Sequence, residues 1–228
     1  MIRRQIVLLR RAKQILRTEG VMSLLKRALE FFGVFQYGTW YLYETAPSRL
    51  LKGKAEAEVM PKIQDFTFRI VSTNQQADEL VADGLEFRSQ VTKSREKLEK
   101  GAVALCIFVE QELAHISWLA MTEEAKKIVD PLPYKVDFAN SEACIGGAWT
   151  NPKYRRMGLM EYGVYKRRQF QLERGLGIAR GSIATRNVPS AGVAAKVGSN
   201  MYAEAHYLRI LWWKRWKEKP LAQDNGFG

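Results

Sequence analysis

The chain has 228 residues, with 36 Lys and Arg against 24 Asp and Glu, two histidines and two cysteines. So few scattered His and Cys cannot supply the ligand spacing of a zinc site, and no metal is expected. Cys106 and Cys144 sit inside apolar runs, which suits reduced core thiols in a cytoplasmic protein rather than a disulfide framework.

Charge is uneven along the chain: 11 basic against 5 acidic residues in 1–60, 10 against 14 in 61–150, and 15 against 5 in 151–228. In the first segment Ile2, Ile6, Leu9 and Leu16 recur at helical spacing with Arg3, Arg10, Lys13 and Arg17 between them, and Gly20 ends the run. A second helix is expected over Met22–Phe32. The apolar run Ile6–Leu9 is too short for a signal peptide or a spanning helix. Aromatic residues then crowd the chain at Phe31, Phe32, Phe35, Tyr37, Trp40, Tyr41 and Tyr43. Residues 1–60 therefore read as a basic, amphipathic, aromatic-rich extension, residues 61–219 as the main domain and 220–228 as a flexible tail. Residues 1–45 suit peripheral attachment to an anionic membrane at its inner face; packing on the main domain or a homodimer contact is the alternative use of these aromatics.

Phe66–Val71 alternates as a strand, Asn74–Leu98 reads as helical, and Ala102–Val109 with Leu113–Leu119 makes a hairpin around Glu110 and Gln111. Met121–Asn140 is a long acidic linker whose carboxylates would favour a cationic partner. The strand Ala143–Thr150 then meets a basic turn and a glycine that opens an amphipathic helix. At such a junction the first N–H groups lack intrahelical partners and the helix dipole favours an anion. Pro152 ends the strand, Lys153, Arg155 and Arg156 add charge, and Gly158 lets a phosphate approach the backbone. Lys166, Arg167 and Arg168 read as the solvated face of that helix. Ile178–Ala184 is the next strand, Thr185–Ser190 a turn, and Ala191–Val197 a short helix closed by Gly198. His206–Trp213 alternates as a final strand with Leu208, Ile210 and Trp212 on one face, and the Trp-Lys-rich stretch after it reads as its basic end, which disfavours nucleic acid as a partner.

The pattern Thr-x-Pro-x-Tyr-Arg-x-x-Gly from Thr150 to Gly158, followed by helix, strand, Asn187-x-x-Ser190 and Lys196-x-Gly198, resembles GNAT-type N-acetyltransferases over about residues 65–215. The resemblance implies an α/β fold, a mixed twisted sheet of about six or seven strands with helices on both faces, here preceded by the helical extension. It implies acetyl-CoA as co-substrate, held by Ala148, Trp149, Thr150, Arg155, Arg156, Met157, Gly158, Leu159, Met160, Asn187, Ser190 and Lys196. It further implies direct acetyl transfer to a primary amine within a ternary complex, with a backbone N–H around Ala148–Thr150 polarising the thioester carbonyl.

A lysine-like ammonium costs roughly 4 to 5 kcal/mol to deprotonate at neutral pH, so a base helps. Glu142, at the start of the central strand, is the first candidate and Asp137 the second. Two departures from the family stand out. Met160 occupies a position usually held by Gly or Ala, and Ala194 stands where many members carry a tyrosine that protonates the departing thiolate, which leaves Tyr202 or Tyr207 as substitutes. The acceptor is open among an amino sugar, a lipid- or glycan-linked amine, a peptide amine and a polyamine. The competing classes are a membrane- or nucleic-acid-binding protein on the same scaffold, and a transferase using a longer acyl-CoA or aminoacyl-tRNA.

Overall fold

The computed structural model describes residues 20–22, 35–46 and 55–221. Both expected N-terminal helices, apart from Met22, and the tail from 222 onward lie outside the described residues. The strands are β1 (Phe35–Thr45), β2 (Phe66–Val71), β3 (Val103–Val109), β4 (Glu112–Ala120), β5 (Ala143–Thr150), β6 (Ala179–Ala184), β7 (Asn200–Ile210) and β8 (Trp213–Pro220). The helices are α1 (Asn74–Ala82), α2 (Ser94–Glu99), α3 (Glu123–Val129), α4 (Leu159–Glu173) and α5 (Val188–Lys196). The strands form one mixed sheet in the order β2-β3-β4-β5-β6-β1-β7-β8. Eight strands exceed the expected six or seven, because Phe35–Thr45, expected in the extension, is itself a strand and the single final strand is a hairpin.

The chain divides into two compact units. The larger runs from Tyr41 to Ala203. Its β3 reads Val-Ala-Leu-Cys-Ile-Phe-Val and every residue of it is buried, as a central strand covered on both faces requires. β2, β3, β4 and β5 pair antiparallel in succession, and β5 pairs β6 in parallel. α4 covers one face. Its Leu159 and Tyr162 pack with Ile107, Val109 and Ala114, and its Phe170 packs with Val103, Leu105 and Leu119. On the opposite face α3 contacts β4 and β5.

Two expectations change here. The helical stretch Asn74–Leu98 is broken into α1 and α2, because Gly84 adopts a φ of +82° that ends the first helix and Lys93 opens the second. The linker 121–140 is a packed segment rather than an open acidic loop. Thr122 caps α3 by accepting from the Ala125 N–H, and Ala125, Val129, Leu132, Tyr134 and Val136 are buried. Its signal was in the sequence as a threonine followed by Glu123-Glu124 and then Lys126-Lys127, the charge order a helix dipole favours.

The smaller unit holds residues 20–22, 35–40 and 204–219 among those described. There Tyr207 stacks edge-on against Trp40 and against Trp216, at centroid distances of 6.3 and 6.0 Å. Leu211 and Trp212 turn the chain between β7 and β8, so Trp212 stands at a hairpin tip and not on the strand face with Leu208 and Ile210.

Candidate functional site

The site begins with the pairing of β5 and β6, whose register joins only three residue pairs: Ala143 with Ala179, Cys144 with Arg180, and Ile145 with Gly181. Beyond Ile145, β5 continues to Thr150 bonded only to β4, so the strands part and the backbone edge of Gly146–Thr150 is left without a ladder on the β6 side. Within that stretch β5 bulges. Ile116 pairs with Trp149 and Trp118 with Gly146, so Gly147 and Ala148 together oppose Ser117. Gly147 takes a φ of +58°, and a Cβ there would sit 2.9 Å from the Trp118 ring. Gly147 and Ala148 are both exposed.

The end of β5 is anchored from below. The Thr150 hydroxyl and the buried His115 Nδ1 lie 2.8 Å apart. Burial, with the neighbouring Arg167, pulls the His115 pKa down to about 3, so the ring is neutral and structural. The turn after it is tied to Glu112, which accepts from Asn151 Nδ2, Lys153 Nζ and the Tyr154 hydroxyl at 3.0, 3.1 and 2.7 Å. Lys153 is thereby turned toward Glu112. Arg155 and Arg156 remain exposed, Arg155 donating from Nε to the Thr150 carbonyl at 3.4 Å and Arg156 adopting a φ of +64°. Gly158, at φ +82°, then opens α4, whose first buried residue is Leu159; Met157 and Met160 flank it half-buried. The junction thus brings together a helix N-terminus, a glycine at positive φ and two exposed guanidinium groups.

The second half of the motif packs beside this helix. Asn187 caps α5 and its Oδ1 accepts from the Ser190 N–H at 3.4 Å. Lys196, at the end of α5, donates to Glu161 in the first turn of α4 at 2.8 Å. Arg168 reaches from α4 to the Val197 carbonyl at 2.7 Å, and both Arg167 and Arg168 are buried. The solvated face expected at Lys166, Arg167 and Arg168 is therefore not found: both arginines turn inward, and Lys166 is half-buried, paired with Glu56 at 3.4 Å and lying over the Phe68 ring.

The expected catalytic pair comes together elsewhere. Arg180 donates from Nε and Nη2 to both Glu142 oxygens at 2.9 and 3.0 Å, pairs with Glu44 at 3.3 Å, and lies over the Tyr202 ring at 5.1 Å. Burial raises the Glu142 pKa, but the hydrogen bonds and charge of Arg180 outweigh it and hold the carboxyl below its usual range. A carboxylate so saturated is a poor proton acceptor. Glu142 also sits five residues before Gly147, about 16 Å along the strand, at the closed end of the β5–β6 pair. Asp137 is spent as well, its side chain bonded to Asn140. Ala194 is buried in α5, and Tyr207 belongs to the aromatic stack of the smaller unit.

A known architecture carries this geometry. A tandem GNAT protein from the clavulanic acid biosynthesis pathway, solved without acetyl-CoA, aligns over 81% of this chain and 54% of its own with 16% identity and a TM-score of 0.50. The glucosamine N-acetyltransferase region of a fungal multidomain GH3 β-N-acetylglucosaminidase aligns over 83% of this chain and 23% of its own with 10% identity and a TM-score of 0.52. The fold is that of the GCN5-related N-acetyltransferases. The chain spans about half of the tandem protein and under a quarter of the fungal one. No family model and no curated protein matches the sequence.

Within this GNAT fold the residues that crowd the bulge escaped the sequence motifs. Lys97 of α2 lies over the Trp118 ring at 4.7 Å, and its Nζ is 3.5 Å from where a Gly147 Cβ would be. Burial, helped by Lys93, lowers its pKa to about 8. Beneath Gly146 lies Asp130, which accepts from the Ser182 and Tyr134 hydroxyls at 2.6 and 2.9 Å and from the Leu132 N–H at 3.2 Å. Burial raises its pKa despite those bonds. Both residues come from a helix–loop surface that only tertiary packing brings to β5, so no local spacing marks them. No cluster of potential metal ligands occurs among the described residues.

Proposed function

We propose that this chain is an N-acyltransferase that moves an acetyl group from acetyl-CoA directly to a primary amine. The observation that carries the reading is the parted β5–β6 pair, whose free β5 edge leads into the Gly158 turn and the N-terminus of α4. An extended amide-containing arm can bond that edge as a strand would, while its phosphates meet the first N–H groups of α4 and the exposed Arg155 and Arg156. Gly158 is needed for its positive φ of +82°; a Cβ there would stand in ordinary contact with Pro61, 3.5 Å from its Cα.

In this reading the residues divide the work by position. The backbone N–H groups at the bulge, Gly147 and Ala148, face the carbonyl oxygen where negative charge develops. Lys97 takes the proton that an attacking ammonium must lose. A group with a pKa of about 8 matches that task near neutral pH, whereas the Arg180-bound Glu142 does not. The thiolate is a fair leaving group unaided, so Ala194 is compatible with transfer.

The amine would approach the exposed Gly147–Ala148 backbone, behind which Trp118 is fully buried. We favour an amino sugar or a glycan- or lipid-linked amine. The test has two arms. Calorimetry should detect acetyl-CoA binding to the intact chain and a large loss in Gly158→Trp; no binding to either overturns the reading. An unbiased amine screen with detection of the released thiol then identifies the acceptor.

A further inference from the structure

Four consecutive apolar residues form the tip of the β7–β8 hairpin, and all are exposed: Ile210 at 45%, Leu211 at 46%, Trp212 at 85% and Trp213 at 49%. The base of the same hairpin is stiff. Tyr207 is buried between Trp40 and Trp216, and Trp216 donates from Nε1 to Glu218 at 2.7 Å. An unsupported loop would be free to fold its apolar side chains back; this one is held out from a rigid aromatic stem.

The turn itself breaks the local rule. A two-residue hairpin loop favours Asn-Gly or Gly-containing pairs, because its backbone enters the left-handed region. Here the pair is Leu211-Trp212, and Leu211 carries a φ of +54°, a conformation that a bulky side chain adopts at a cost. Neither residue is buried, so core packing does not demand them. The residue types that would serve folding best have been replaced by those that water disfavours most.

Charge surrounds the tip. Arg209, which donates to the Leu211 carbonyl at 3.2 Å, precedes it, and the exposed Lys214, Arg215, Lys217 and Lys219 come after it on β8. The only carboxylate on β8, Glu218, is already bonded to Trp216. Tryptophans within a basic collar fit the interface of an anionic lipid surface, where indoles sit at headgroup depth and cations meet lipid phosphates. A protein partner fits less well. Four residues expose on the order of 500 Å², short of the roughly 800 Å² per partner of a stable interface.

We propose that the β7–β8 tip is a membrane wedge that inserts Leu211 and Trp212 into an anionic bilayer surface. The wedge is independent of the acyltransfer reading, since it rests on a different unit and different residues.

The experiment is co-sedimentation of the full chain with vesicles of phosphatidylcholine containing phosphatidylglycerol, and with phosphatidylcholine alone. The decisive variant is Leu211→Asn with Trp212→Gly, which installs a favoured turn pair and so spares the hairpin. Expected are binding to the anionic vesicles with a blue shift of tryptophan emission, and at least a tenfold loss of binding in the double variant at unchanged or higher thermal stability. Lys214→Ser and Arg215→Ser should each weaken binding about fivefold. Equal binding by wild type and the double variant overturns the proposal, as does absence of binding by wild type. A lipid-free dimer that the double variant dissolves overturns it in favour of a contact between copies, and salt-sensitive RNA binding lost in that variant overturns it in favour of a nucleic-acid surface.

Discussion

The Lys97 ammonium lies 4.7 Å above the Trp118 ring, and no carboxylate forms an ion pair with it among the described residues. The ring face favours the cation, but burial opposes it more strongly, and the pKa falls to about 8. Below that value Lys97 is charged and cannot accept a proton. Transfer should therefore rise about tenfold per pH unit up to about 8 and then level off. Lys97→Met should abolish this limb, leaving the dependence of the acceptor amine alone; a stopped assay of thiol release across pH 6 to 9 reads it.

The same shift has a consequence for stability. The folded chain gives up the Lys97 proton at about 8, the unfolded chain only near 10.5. Between those values the unfolded state binds more protons, so stability from this group rises with pH through that window. Lys97→Met should flatten the rise, measured as denaturant midpoints at pH 7, 9 and 10.

Glu142 should behave as a structural carboxylate. Its folded pKa lies below the ordinary 4.5, so its contribution is full above that value and is lost as pH falls through the lower one. Glu142→Gln should reduce stability at neutral pH, blunt its further loss in acid, and leave the pH profile of transfer unchanged. Arg180→Met strands both Glu142 and Glu44, with side chains only 12% and 26% exposed, and should cost more, roughly 2 to 3 kcal/mol. Urea unfolding separates the two.

Asp130 ties the segment before β5 to β6. Asp130→Ala removes the acceptor of the Tyr134 and Ser182 hydroxyls and should destabilise by about 2 to 4 kcal/mol, against about 1 kcal/mol for Ser182→Ala. Calorimetric melting of both variants checks the ratio.

Gly163 is the close-contact glycine of α4. A Cβ there would lie 2.9 Å from His115 Nε2, and the ring is buried and held by Thr150. Gly163→Ala, ordinarily favourable in a helix, should here cost about 1 to 3 kcal/mol. The melting temperature gives the sign directly.

Much of this was legible in the chain itself. Period-two alternation marks β2, apolar runs mark β3 and β4, and the Pro152-to-Gly158 punctuation marks the start of α4, because these are local preferences written within a few residues. What escaped depends on distant partners. Arg167 and Arg168 look solvated in a string of basic residues, and only the docking of α4 on the sheet turns them inward. Glu142 reads as the first candidate base until Arg180, 38 residues on, is seen to clamp it. Lys97 carries no motif at all, since its proposed role comes from the Gly147 bulge that brings an exposed backbone under it. Phe35–Thr45 was hidden for another reason: dense aromatics describe a strand and an interfacial segment equally well.

Three residue pairs are all that join β5 to β6. In hydrogen-exchange terms they form a seam across which protection should change abruptly, with the amides of β3 and β4 opening only on global unfolding and those of β6 exchanging through a cheaper local event. A ligand lying along the free edge of β5 would act as a missing strand and close that seam. Its binding should therefore slow exchange in β6, at residues it never touches, as well as in the strand it contacts.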